Sequence, residues 1–141
     1  PCTLYDPFLT TINGWWTGKF KPLIPVHLIA HITGGGIPSK LGDLIFPRGF
    51  SADLCDLWEP PQIMRQCVEW RGMNDEDTWE TFNGGQRVLM GVSAKHAHDV
   101  IICAADHNIQ AKGCGQIVHD DTTQIRIKSP FTGKDVVFGQ K

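Results

Sequence analysis

The chain has 141 residues, 41% hydrophobic and 20% charged, the proportions of one globular domain rather than of a disordered segment. Its net charge of −2 leaves no basic footprint for nucleic acid and no pull toward an anionic membrane. No apolar run reaches the ~18 residues a membrane span needs, and no charged-then-apolar leader opens the chain. Pro1 rather than Met stands first, so the chain is expected to be trimmed or cut from something longer. The five cysteines, Cys2, Cys55, Cys67, Cys103 and Cys114, are odd in number and form no CxxC pair. They read as reduced thiols of a cytoplasmic protein, buried and inert in apolar surroundings such as Ile101-Ile102-Cys103-Ala104.

Taken in order, Thr3 to Gly14 suits a short helix with Leu9 and Ile12 toward a core, ended by Asn13-Gly14. A loop through Trp15-Trp16 and two prolines, Pro22 and Pro25, leads to a strand over Val26 to Thr33, which stops at Gly34-Gly35-Gly36. Pro38 suits the first turn of a helix whose Leu41, Leu44 and Ile45 fall at helical spacing before Pro47. Phe50 to Leu57 reads as a strand. Pro60-Pro61 starts a helix to about Arg71, with Ile63, Cys67 and Trp70 on one face and Gly72 as its stop. Asn74 caps a helix with an acidic first turn, Asp75 to Asp77, that runs to about Phe82 and breaks at Asn83-Gly84-Gly85. Arg87 to Val92 is a strand. Ser93 reads as the cap of a helix from Ala94 to about His107, with Ala97, Val100, Ile101, Ala104 and Ala105 as its apolar stripe. Ile109 to Val118 is a glycine-interrupted strand, Gln124 to Lys128 another, and Val136 to Phe138 a short apolar patch. Helices between most strands predict an α/β (α+β) sandwich with helices packed on a mixed sheet. The whole of 1–141 reads as a single domain.

The segment most able to carry chemistry is His31-Ile32-Thr33-Gly34-Gly35-Gly36. Glycines between a strand and a helix let backbone approach a ligand closely, and amides at the helix start, with the Thr33 hydroxyl, could hold a phosphate. A plain flexible turn is the alternative. It is not a Walker A loop, because counting from Gly34 places Ser39 where glycine is required, although Lys40 falls in register. His31 either donates to a ligand or is a core histidine bonded to backbone. On a strand it shares a face with His27. Asn83-Gly84-Gly85-Gln86 is either a structural turn or the source of a side-chain amide that reaches a ligand. A metal site is not expected. On a helix His96 and His98 diverge by about 200°, and His107 and Cys114 lack partners at zinc spacing. The tryptophans, Trp15, Trp16, Trp58, Trp70 and Trp79, suit packing better than base stacking.

Val26-His27-Leu28-Ile29-Ala30-His31-Ile32-Thr33-Gly34-Gly35-Gly36-Ile37 closely resembles the signature of the aminoimidazole-ribonucleotide synthetase family, also called phosphoribosylformylglycinamidine cyclo-ligase. Leu44-Ile45-Phe46-Pro47, Asp56-Leu57-Trp58 with Pro60-Pro61, Asn74 through Gly85, and Gly115-Gln116-Ile117-Val118 resemble further family segments in the same order. The likeness runs from about Thr3 to Val118; the tail beyond is weakly matched. It implies the carboxy-terminal α/β domain of a two-domain, homodimeric cytoplasmic enzyme of purine biosynthesis. The amino-terminal domain would be its partner and hold most of the ATP and Mg2+ ligands. The implied reaction is ATP-driven closure of the imidazole ring of aminoimidazole ribonucleotide from formylglycinamidine ribonucleotide. By the same resemblance, Thr33, Gly34, Gly35 and Gly36 bind substrate phosphate or nucleotide, His31 orients or polarises the reacting group, and Asn83 and Gly84 line the cleft. The isolated half would be inactive. Gln86 and Arg87 stand where the family has a further glycine and apolar residues, which leaves room for a relative acting on another substrate, while Pro1 as first residue and the absent ATP-binding half leave a non-catalytic module of the same fold as a second alternative.

Overall fold

The computed structural model describes residues 3–15, 18 and 21–139; Pro1, Cys2 and Trp16 lie outside them. The elements are α1 (Asp6–Ile12), β1 (Val26–His31), α2 (Gly36–Ile45), β2 (Phe50–Leu54), α3 (Gln62–Arg71), α4 (Asp75–Thr81), β3 (Val88–Val92), α5 (Ala97–Asp106), β4 (Gly115–His119), β5 (Gln124–Lys128) and β6 (Asp135–Gly139). Single 3₁₀ turns follow α2 (Phe46–Arg48) and precede α5 (Ala94–His96). Packing divides the chain into two compact units, residues 1–28 with 90–113, and residues 29–89 with 114–141. The fold is α+β, with helices packed on a mixed sheet.

In the first unit α1 packs on α5, and Phe8, Ile12, Ile24, Val100 and Ala104 form the buried cluster. His107 closes this pair of helices. Its Nδ1 lies 2.7 Å from the Cys103 carbonyl oxygen, its Nε2 lies 3.2 Å from Thr11 Oγ1, and its ring meets Phe8 edge-on. Ser93 does not cap the helix that follows it. Its hydroxyl sits 3.2 Å from His27 Nε2 instead, and the chain makes a 3₁₀ turn before α5 begins.

The second unit contains a four-stranded sheet in the order β4-β2-β5-β6. β2 is antiparallel to β4 and parallel to β5, and β5 is antiparallel to β6. The registers put Ala52, Ile125 and Phe138 in one row and Leu54, Ile127 and Val136 in another. All six are buried, because side chains two apart share a face. Arg126, Lys128, Asp135 and Val137 alternate outward and are exposed. α2 packs against β5 and α4, contributing Ile37, Leu41 and Ile45 to this core. The apolar patch at Val136 to Phe138 is therefore part of a strand, while Ile109 to Cys114 has no regular structure and β4 starts only at Gly115. β1 and β3 make a separate two-stranded sheet whose residues are shared between the units.

Ile63 and Trp70 stand on one helical face of α3, but that face is open: they are 64% and 73% exposed. The helix is held by Arg65 instead. Its guanidinium donates to the carbonyl oxygens of Pro130 (2.8 Å) and Phe131 (3.4 Å), pairs with Glu59, and lies over the Phe131 ring at 5.7 Å.

Where β4 leads into β5, the Ser51 hydroxyl donates to Asp120 Oδ1 at 2.6 Å, as do the Thr122 hydroxyl (2.6 Å) and amide (2.9 Å). These donors, Ser51 first, hold the Asp120 carboxyl at about 2, below its ordinary 3.8. A carboxyl whose pKa falls on folding stabilises the fold above its unfolded value and loses that contribution as pH drops through its folded value. Wild type should therefore exceed Asp120→Asn in urea midpoint at pH 6, and the gap should close between pH 3.8 and about 2. A gap that stays constant across that window would refute this account of the turn.

Candidate functional site

The candidate residues all fall in the second unit. β1 ends with His31 and Thr33 exposed on either side of Ile32, which is 1% exposed. The chain leaving β1 thus anchors itself through Ile32 and presents its polar neighbours to solvent. His31 is not a core histidine. The Ile32 amide donates to the Arg87 carbonyl oxygen at 2.9 Å, which ties the start of the first glycine segment to the end of the second.

Thr33 to Gly36 is a reverse turn closed by the Gly36 amide donating to the Thr33 carbonyl oxygen at 3.0 Å. Gly35, at φ 88° and ψ −2°, occupies the third position of a type II turn, where the left-handed conformation favours glycine, and also precedes α2 as its cap. Asn83 to Gln86 is a second turn, closed by the Gln86 amide on the Asn83 carbonyl oxygen at 2.9 Å. Gly84 and Gly85 have φ of 59° and 90°, as a type I′ turn requires of both central residues. Asn83 Oδ1 accepts the Gly85 amide at 2.9 Å, so the carboxamide oxygen serves the turn itself.

Trp79, fully buried on α4, brings the two turns together. A Cβ on Gly36 would stand 1.7 Å from the Trp79 carbonyl oxygen and 3.1 Å from that of Phe82. A Cβ on Gly84 would stand 2.5 Å from two atoms of the Trp79 ring. Gly36 and Gly84 are therefore buried contacts that let α2 and the second turn close on α4. Gly34 differs. It is exposed, its φ is not left-handed, and a Cβ there would meet nothing within 4 Å.

Gln86 and Trp79 hold the two turns in place, roles that the sequence does not single out. Gln86, 3% exposed, donates from Nε2 to the carbonyl oxygens of Trp58 (2.9 Å) and Gly84 (2.8 Å), and its Oε1 accepts the Trp58 amide at 3.0 Å. It clamps the segment after β2 to the second turn. Glutamine beside a double glycine was the only available signal. Trp79 carried none that set it apart from the other tryptophans, of which Trp15, Trp58 and Trp70 are exposed.

The thiols also differ from expectation. Cys55 is exposed and Cys67, Cys103 and Cys114 are half-buried; none of the four is fully buried. Burial, and then Asp106, push the Cys103 thiol up, which leaves it inert. Cys55 is open because it stands just past the end of β2. Among the described residues, no group of three His, Cys, Asp or Glu side chains could hold a metal ion.

Residues 20–128 match the family described as AIR synthase related protein, C-terminal domain. Over 139 residues the chain is 28% identical to a phosphoribosylformylglycinamidine cyclo-ligase of Prochlorococcus marinus (strain MIT 9313), covering 95% of the chain and 34% of that relative. It is 36% identical over 70 residues, 49% of the chain and 20% of the relative, to one of Lactobacillus delbrueckii subsp. bulgaricus. It is 29% identical over 102 residues, 72% of the chain and 30% of the relative, to one of Synechococcus elongatus. The chain thus spans at most about a third of the length of these curated relatives.

The glycine geometry separates two substitutions. Gly36→Ala places a methyl group against a carbonyl oxygen in a left-handed conformation and should cost about 2–4 kcal/mol of folding stability. Gly34→Ala should stay within about 0.5 kcal/mol of wild type. Urea denaturation of both variants checks this, and equal losses would show that the first turn is not packed as described.

Proposed function

The chain belongs to the AIR synthase-related C-terminal domain family, and from that premise we propose that it is the carboxy-terminal half of an ATP-dependent cyclo-ligase that forms aminoimidazole ribonucleotide from formylglycinamidine ribonucleotide. Its relatives are phosphoribosylformylglycinamidine cyclo-ligases, which supports the reaction class. The observation that carries the site is the contrast among the glycines of the first turn. Gly35 and Gly36 answer to backbone conformation and packing, whereas the fold makes no demand on Gly34. A missing side chain at an exposed turn, between Thr33 and a helix start, leaves room for a phosphate to approach the backbone.

In this reading Thr33 and Gly34 to Gly36 receive the phosphate of substrate or nucleotide. Direct contact falls to the exposed Thr33 and Gly34, while Gly36 sets the turn against α4. The Gly36 amide already serves Thr33, and Pro38 has no N–H, so the helix start alone is a thin anion site. The hydroxyl of Thr33 and the positive end of the α2 dipole strengthen it. His31, exposed two residues before the turn, orients or polarises the reacting group. Asn83 borders the same cleft at the second turn, and Gly84, packed on Trp79, sets that turn in place. ATP with Mg2+ would supply the phosphoryl group that activates the amide oxygen. Both are assigned mainly to an amino-terminal domain. The complete enzyme is then a cytoplasmic homodimer, and this half alone does not turn over.

The test is turnover by the full-length protein of formylglycinamidine ribonucleotide with ATP and Mg2+, read as aminoimidazole ribonucleotide. Product should form, and Gly34→Ala and His31→Ala should each lower kcat/KM at least about tenfold with unchanged melting. A folded, ATP-binding protein that gives no product would refute the substrate. Product formed equally by both variants would refute the site.

A further inference from the structure

Two of the cysteines, Cys55 and Cys114, are joined through their backbones just past the β2/β4 ladder. The β2/β4 ladder runs in antiparallel register from Phe50↔His119 to Leu54↔Gly115, so the next step outward sets Cys55 opposite Cys114. The backbone bears this out. The amides of Cys55 and Asp56 donate to the same Cys114 carbonyl oxygen, at 3.0 and 3.1 Å. Two residues facing one in this way is the hydrogen-bond pattern of a β-bulge. Beside the pair Gly115 has no room for a side chain, since a Cβ there would stand 2.0 Å from the Asp53 carbonyl oxygen. Residues bonded across an antiparallel pair, as the Cys55 amide is to the Cys114 carbonyl oxygen, have Cα atoms about 5.5 Å apart, inside the roughly 4.4–6.8 Å that a disulfide spans. Both residues are thiols here, with Cys55 exposed to an attacking reagent and Cys114 half-buried behind it.

We propose that Cys55 and Cys114 are a reversible thiol–disulfide pair that closes the open end of the β2/β4 ladder under oxidation. The oxidant class is a low-molecular-weight disulfide. The Cys55 thiolate attacks one sulfur of the reagent, forms a mixed disulfide and expels one small thiol. The Cys114 thiolate then attacks the Cys55 sulfur and expels the second. One reagent disulfide is reduced to two thiols, two protein thiols are oxidised to one disulfide, and their protons end on the released thiols. The bond would enclose residues 56–113. The first of these run to Trp58, whose backbone Gln86 holds against the second glycine turn. The cross-link therefore sets the exit of β2 toward that turn.

The experiment is to treat the folded full-length protein with oxidised glutathione, alkylate remaining thiols, digest without reduction and map the linked peptides by mass. The predominant linked pair should join Cys55 to Cys114. It should be lost in Cys55→Ser and in Cys114→Ser and kept in Cys67→Ser. A natively folded chain in which Cys55 keeps glutathione or stays unmodified while Cys114 is alkylated would overturn the proposal. So would predominant pairing of either residue with Cys67 or Cys103.

Discussion

The second unit is organised around one buried side chain, Trp79. Its indole Nε1 donates to Ser129 Oγ at 3.1 Å, and the Ser129 hydroxyl donates to Asp75 Oδ1 at 2.9 Å. The ring meets Phe131 edge-on with centroids 5.4 Å apart. Removing a buried tryptophan of this kind costs about 3–5 kcal/mol, and here the loss would not stay local. The same residue gives its carbonyl oxygen as the surface on which Gly36 sits and its ring as the surface on which Gly84 sits. Both glycine turns take their places from α4. Asp75 anchors that helix a second time by accepting the Thr132 hydroxyl, so the turn between β5 and β6 supports α4 from below.

Around that centre, polar side chains do what apolar packing does elsewhere. Arg65 fixes α3 through two carbonyl oxygens and an aromatic ring, while the helix's apolar stripe stays outside. Gln86 fixes the Cys55-to-Trp58 segment through two hydrogen bonds to Trp58 and ties it to the second turn through a third to Gly84. Ser51, buried at 3% exposure, bonds the β4–β5 connection by donating to Asp120 and accepting the Gln124 amide. Each is a charged or polar group at a place where backbone carbonyls and amides would otherwise lose their partners, and a buried unpaired group is costly.

What the sequence made legible follows from short-range physics. The Asn74 cap is visible because its side chain needs only the amide three residues on, and it accepts that of Asp77 at 2.8 Å. The glycine turns are visible because φ > 0 at Gly35, Gly84 and Gly85 is a local requirement. The α+β class follows from alternation such as Ile125 and Ile127 against Arg126 and Lys128. What was not legible depends on partners far along the chain. Ser93 has the chemistry of a cap, but its hydroxyl meets His27, 66 positions away in sequence, instead. Ile63 and Trp70 obey helical spacing, yet spacing says which residues share a face and not whether anything covers it. Cys55 and Cys114 acquire a relation only through a register set 59 positions apart in sequence.

The two residues that depart from the resembling family pattern, Gln86 and Arg87, can now be placed in physical terms. Gln86 spends its whole carboxamide on backbone groups of Trp58 and Gly84. Arg87 contributes its carbonyl oxygen to the Ile32 amide, a bond that any residue in that conformation could make. Both positions therefore act on how the second turn is held and how it is joined to the first. The residues presented to solvent beside them, His31, Thr33 and Gly34, lie in the segment that resembles the family signature. A divergence confined to the support of a turn changes its rigidity and set before it changes what the turn can touch. The exposed Arg87 side chain, next to that support, is the one part of the departure able to alter the charge a ligand meets.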